Sequence, residues 1–262
     1  MMQTDKKLLS KKQKANGQMD IENYRPTDPV RFTQRLYQLA SKRGFLVQKL
    51  GNTGSDPIIL VTPKELNSGP NLLIAAGFHG DEPAGCWGIL HFLETVSPDL
   101  LSKSNLSFLP LVNPSGFRHG KRTNDGGENP NSGFCHTNSG QPEPSREGLI
   151  LVKHLPMLKS LAKDGFLSLH EDIELEQFYI YTFENADVPG PFSEALRAEA
   201  AKFTEPYPDG RLEGGLVCNG IIFVIVMALL KTSYFTRVYQ EQLVLKLRVC
   251  SILTDGLKRT WA

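Results

Sequence analysis

Short apolar runs that end in turn residues alternate with helix-length periodic segments along most of this chain, and that alternation leaves few folds open. Phe45–Leu50, Pro57–Val61 and Asn71–Ala76 are bounded by Gly, Asn and Pro, and they read as strands. Leu106–Val112, Phe166–Leu169 and Phe178–Phe183 read the same way. Helices stand between them. Thr27-Asp28-Pro29 joins a capping side chain to a proline at the first helical position. Phe32, Leu36, Leu39 and Ala40 then recur at helical spacing, and Gly44 closes the segment. Further helices are expected from Pro83 to about Val96, over Glu147–Leu161 and over Pro191–Phe203. Strands alternating with helices predict an α/β fold, a three-layer sandwich around a mixed, mostly parallel central sheet. No internal repeat is visible. The one long stretch without periodicity, Asn113–Ser145, is rich in Gly, Asn, Pro and Ser; a loop of that length is usually functional or disordered.

Bulk properties narrow the partners. A chain of 262 residues holds one sizeable domain, or at most two small ones. Its formal net charge of +1 gives no electrostatic reason to expect nucleic acid or a membrane surface. The longest apolar run, Ile221–Leu230, ends at Lys231 and is shorter than the ~20 residues of a membrane span. The four cysteines, Cys86, Cys135, Cys218 and Cys250, are far apart and make no C-x-x-C pair, so reduced thiols and a cytoplasmic location are expected. Residues 1–25 carry five lysines in the first 14 positions with no apolar segment after them. They read as a polar, basic, disordered tail rather than a secretory signal, leaving 26–222 as the main domain.

The chemistry-bearing residues sit where strands end. The run Asn71–Ala76 passes through Gly77 and Phe78 into His79-Gly80-Asp81-Glu82, just before a helix. In open α/β sheets ligands gather at the carboxyl ends of strands, and imidazole and carboxylate are both good zinc ligands. H-x-x-E alone is a weak signal. A second apolar strand, however, ends in His170, 88 residues after Glu82, and two separate strands ending in ligand-type residues make coincidence harder to accept. Three protein ligands plus one open position are the makings of a catalytic zinc site. Glu171 and Asp172 follow His170 directly and suit supporting roles beside the ligands. His91, His119, His136 and His154 have no comparable pattern around them.

Between the two strand ends lie Asn113-Pro-Ser-Gly-Phe117, Lys121-Arg122-Thr-Asn124 and Gly127-Glu-Asn-Pro-Asn131-Ser-Gly-Phe134. In order and approximate spacing this arrangement, from about Leu72 to His170, resembles the zinc metallocarboxypeptidases, including bacterial murein-peptide amidases. The succinylglutamate desuccinylase and aspartoacylase group shares much of the layout. The resemblance implies that His79, Glu82 and His170 hold Zn2+. It also implies that Arg122 polarises the scissile carbonyl and stabilises the oxyanion, and that Asn131 binds the substrate carboxylate. A small peptide cleaved at an amide bond next to a carboxylate is the substrate implied, or, as an alternative, an N-acyl amino acid. The arginine expected after Asn131 is Ser132 here, which puts ordinary exopeptidase specificity in question; Arg118 or Arg146 could compensate.

The family's general base, a glutamate on a late strand, has no counterpart. From Phe223 onward the chain has only Glu241 and Asp255 as acids against six Lys and Arg, and no proline. A one-base slip of the coding frame near Phe223 is one explanation; a genuine divergent tail is the other. Back-translated with permissible codons, 223–248 can be read in the other frame as CDCDGSFEDFLFHEGVPRATCAETPG, rich in acids and ending in a Glu-Thr-Pro like the one around the family's catalytic glutamate. Residues 223–262 are therefore expected to be an anomalous segment. A metal-binding protein without catalysis is the remaining alternative.

Overall fold

The computed structural model describes residues 27–132, 143–172, 174–182, 189–223 and 245–248. Residues 1–26, with the expected tail, lie outside the described residues, as do His136 and most of 223–262. Ten described strands form one mixed sheet: β1 (Phe45–Thr53), β2 (Asp56–Pro63), β3 (Asn71–Ala76), β4 (Asn105–Leu109), β5 (Gly165–His170), β6 (Tyr179–Thr182), β7 (Gly210–Leu212), β8 (Gly215–Cys218), β9 (Ile221–Phe223) and β10 (Leu245–Arg248). Their order is β1-β2-β4-β3-β5-β10-β6-β9-β8-β7. The centre, β4-β3-β5-β10, is parallel, with antiparallel strands on both flanks. The expected three-layer α/β sandwich is what forms.

Each face of the sheet has its own helices. On one side α1 (Pro29–Arg43) and α2 (Pro83–Thr95) bury Phe32, Leu36, Leu39, Trp87, Ile89 and Leu93 against Ile59, Val61 and Phe108. On the other, Leu151 of α5 (Arg146–Lys153) and Leu158 of α6 (Leu155–Leu161) cover Ile58, Leu60, Leu73 and Ala75. Strand β2 shows the cause in four residues: Ile58 and Leu60 face one layer, Ile59 and Val61 the other. A strand covered on both faces must be apolar at every position, and burying each such side chain is worth roughly 1.5–3 kcal/mol.

Helix ends follow the sequence signals. Asp28 caps α1, its carboxylate accepting from the N–H groups of Val30 and Arg31 at 3.0 and 3.1 Å, and Gly44 ends the helix at φ 75°. Three expectations are adjusted. The helix read over Glu147–Leu161 breaks into α5 and α6 at His154, because Pro156 has no N–H to continue the first helix. The stretch read as aperiodic from Asn113 contains α4 (Pro114–His119), started by Asn113 and closed by Gly120 at φ 58°. Strand β4 ends at Leu109, yet its backbone stays paired beyond that: Val112 and Asn113 donate to Ala76 and Gly77 at 3.2 and 2.7 Å. Helices α3 (Pro98–Lys103) and α7 (Pro191–Ala200) complete the set.

Candidate metal centre

Strand register builds the site. Parallel β3 and β5 pair Ala76 with Leu169, so Gly77 and His170 come next at the same carboxyl edge. Gly77 takes φ 68°, a left-handed conformation open mainly to glycine, and any Cβ there would lie 2.7 Å from Cys86 Sγ. The chain thereby turns out of the sheet and carries His79 and Glu82 over the end of β5. Gly80 then touches the start of α4, where a Cβ would fall 1.9 Å from the carbonyl carbon of Gly116. The two glycines let two backbones meet.

Asn113 locks this contact. Fully buried, it accepts from Gly116 N–H at 2.8 Å and donates to the carbonyls of Phe78 at 3.4 Å and Arg122 at 3.3 Å. One side chain thus ties the histidine turn to the arginine loop. Farther along that loop, Asn124 donates to Glu128 at 2.6 Å and to the buried Glu147 at 2.8 Å.

The three donors converge. His79, Glu82 and His170 are buried, and their ligating atoms all lie within 4.8 Å of one another. His79 Nδ1 and His170 Nδ1 each sit 2.7 Å from a different oxygen of Glu82. Burial by itself would push the Glu82 carboxyl up; the hydrogen bonds and charges of His170 and His79 outweigh it and hold the pKa well below the usual carboxylate range. Among the described residues His79 Nε2 is buried with no hydrogen-bond partner, so Nδ1 makes that ring's one hydrogen bond, whereas His170 Nε2 meets Ser168 Oγ at 3.2 Å. Two imidazoles and an ionised carboxylate, buried and facing one another, are a donor set that fits a divalent ion.

Arg122 reaches the same place. Its Nη1 donates to Glu82 Oε1 at 3.3 Å while about half of its side chain stays exposed, so it stands at the mouth of the cluster. Asn131 is half-buried in the following turn, its N–H donating to Asn129 Oδ1 at 2.9 Å; none of its described hydrogen bonds reaches the three donors. The candidate replacements for the missing arginine are engaged elsewhere: Arg118 grips both oxygens of Asp56 at 2.6 and 2.7 Å, and Arg146 pairs with Asp125 and Glu128. Of the remaining histidines, His91 and His119 are exposed and His154 Nε2 meets the Leu50 carbonyl at 2.9 Å.

Sequence reasoning missed two contributors, Asn113 and Glu147, and the partner that Glu171 takes in its expected supporting role. Asn113 carried a signal, an Asn-Pro-x-Gly helix start, but not its long-range bonds. Glu147 looked like an ordinary first-turn glutamate. The Glu171 carboxyl, raised by burial and then by the nearby Glu82 and Asp81 charges, accepts from Ala84 N–H at 3.1 Å, a contact across 87 residues that no local pattern announces.

Comparison with known proteins agrees with this geometry. Residues 68–178 match the succinylglutamate desuccinylase/aspartoacylase catalytic domain, a span containing all three donors. A candidate metallopeptidase from Shewanella amazonensis SB2B is 34% identical, with 93% of this chain and 95% of that one covered and a TM-score of 0.77. A metallo-carboxypeptidase from Burkholderia cenocepacia, 20% identical, covers 84% of this chain and 59% of its own, with a TM-score of 0.58. Murein-tripeptide amidase MpaA from Escherichia coli O157 shares the fold at 17% identity and a TM-score of 0.53, over 82% of this chain and 89% of that one. No curated protein matches. A third of the residues are shared with the Shewanella protein along nearly the full length of both chains, and the matched catalytic domain spans the whole donor cluster: the chain belongs to the same metallopeptidase family as that Shewanella protein.

Proposed function

We propose that the chain is a zinc-dependent hydrolase that cleaves an amide bond next to a carboxylate, acting on a small peptide in the cytoplasm. The observation that carries this reading is the convergence of buried His79, Glu82 and His170 with Arg122 at their mouth. Zinc held by these three would supply Lewis acidity toward a carbonyl and lower the pKa of water. The chain's own groups do the rest. Glu82 stays ionised in its buried setting and offsets part of the ion's charge. Ser168 keeps the His170 ring in one orientation. Arg122, partly withdrawn from water, is a fixed cation that takes up the negative charge developing on the carbonyl oxygen. Asn131, a few residues along the same loop, offers an amide donor to the substrate carboxylate.

A second reading, a deacylase of N-acyl amino acids, is favoured by Ser132, which provides no cationic clamp for a peptide C-terminus, and by the domain match over 68–178. Metal analysis of the purified chain, with hydrolysis of a dipeptide panel against N-acetyl and N-succinyl amino acids, separates the two. Failure to bind zinc would end both.

Among the described residues the general base is the missing part. Of the two acids beside His170, Glu171 takes the Ala84 N–H and Asp172 takes the Tyr179 hydroxyl at 2.8 Å. We propose that the gap comes from a frame slip after Phe223, the alternative being a genuine divergent tail. In the other frame, the codon spanning the end of Leu245 and the start of Lys246 can encode glutamate. Strand β10 lies parallel beside β5, with Lys246 opposite Ser168 and Arg248 opposite His170. A glutamate read there would stand one strand away from a metal ligand. The coding DNA from Gly215 onward tests this reading.

A further inference from the structure

We infer that Glu171 is a positioning residue for Glu82: it caps helix α2 in place of Glu82, and so releases the Glu82 carboxylate for the metal. This rests on the zinc-site reading above. Glu82 is the N-cap residue of α2. A side-chain acceptor at this position, most often that of Asp, Asn, Ser or Thr, turns back onto the N–H of the second or third helical residue. Such a closure would take the carboxylate away from the histidines. Glu82 makes no such bond, and its oxygens instead meet His79, His170 and Arg122. The helix still has N–H groups without intrahelical partners. Pro83 has none, so the Ala84 N–H is the first that needs an acceptor.

Glu171 Oε2 supplies it at 3.1 Å, while the N–H of Glu171 donates to Glu82 Oε2 at 3.3 Å. Each glutamate therefore accepts an N–H from the other's segment. The exchange resembles a capping box, except that its halves lie on different elements, 89 residues apart. The consequence is geometric: the helix start that carries Glu82 is pinned to the strand end that carries His170. Glu171 acts through an acceptor oxygen at the helix terminus, where a carboxylate is also favoured by the helix dipole. Because that oxygen is committed to Ala84, the role does not require Glu171 to touch the ion.

The test uses the full chain and Zn2+ itself, with affinity measured by competition against a chromophoric chelator for wild type, Glu171→Gln and Glu171→Ala. Hydrogen exchange of the Ala84 amide is followed in parallel. Glutamine keeps an acceptor oxygen and should bind zinc within about threefold of wild type. Alanine should bind about tenfold or more weakly, the size of effect seen when a ligand's supporting partner is removed, and its Ala84 amide should exchange faster. Should the alanine variant not fold, Glu171→Met keeps the stem without an acceptor and is compared instead. Unchanged affinity in Ala or Met overturns the inference, and so does a glutamine variant as weak as alanine, which would make Glu171 a ligand. A wild-type chain that binds no zinc refutes the underlying metal-site reading and this inference with it.

Discussion

Replacing Gly80 with alanine should damage the site through the backbone alone. The new Cβ would stand 1.9 Å from Gly116 C and 2.1 Å from Phe117 N, about 1.5 Å inside ordinary van der Waals separation. Both atoms belong to main chain at the start of α4, so no side-chain rotation relieves the clash; the histidine turn and the helix must separate. Asn113 bridges them, and its bonds to Phe78 and Gly116 stretch as they part. Overpacking a well-fitted interior costs about 1–3 kcal/mol, and weakened buried hydrogen bonds add about 1 kcal/mol. A stability loss of about 2–4 kcal/mol is therefore expected, read from the urea midpoint at constant m-value. His79 is the neighbouring residue and moves with the turn, so zinc affinity should fall at least tenfold. Gly116→Ala strains the same Asn113 bridge from its other side, its Cβ falling 2.4 Å from Asn113 Nδ2 and 2.6 Å from the Thr123 carbonyl oxygen, so the double variant should be less damaged than the two singles added together. A Gly80→Ala chain within about 1 kcal/mol of wild type, with unchanged zinc affinity, would refute the view that this backbone approach sets the ligand geometry.

Other expectations are simpler. The purified chain should bind about one zinc per monomer; full occupancy surviving in the His79→Ala, His170→Ala double variant would sink the metal assignment. The chain as written should be a poor catalyst even when zinc-loaded, since loss of a general base typically costs ~10²–10⁴-fold. Equal, robust amidase activity in this chain and in a version whose last 40 residues are read in the other frame would refute the slip. In that version, Arg122→Ala should lower kcat about 10²–10³-fold, and a change confined to KM would contradict its oxyanion role. Glu82 sets a pH dependence of stability in the metal-free chain. Its folded pKa is depressed, so its contribution is complete above its ordinary value of 4.5 and is lost as pH falls below that toward the folded value. Glu82→Gln should flatten the acid side of the stability profile below about pH 4.5, and an unchanged profile would contradict the assignment.

What the sequence disclosed about this fold was mostly local. Asp28 with Pro29, the apolar run Ile58–Val61 and the Gly77 turn each follow from chemistry within a few residues, and so does the presence of ligand-type residues at two strand ends; the pairing that brings His170 to His79 and Glu82 joins residues 93 apart. Arg122 could be assigned only through the family pattern, since a loop arginine after Lys121 carries no signal of its own; its contact with Glu82 spans 40 residues. Glu147, and the contact through which Glu171 fills its expected supporting role, were hidden for the same reason. Their partners, Ala84 and Asn124, come from other elements, and a glutamate that caps a distant helix has the same spelling as a solvated one. Helix α4 went unread because six residues are too few to show a period.

The place of β10 in the sheet also bears on how the protein is made. Strands β5 and β6 are consecutive, with only eight residues between His170 and Tyr179, yet they do not pair; residues 245–248 lie between them. At the ribosome, β5 emerges with its inner neighbour β3 already present and its other edge without a partner. Seventy-four residues separate His170 from Leu245, so that edge stays open for roughly 4–15 s at 5–20 residues per second. An unpaired parallel edge rich in Phe and Leu is a template for other nascent chains. Translation speed over this interval, and any chaperone that shields the edge during it, should therefore govern how much of the newly made protein reaches the folded state.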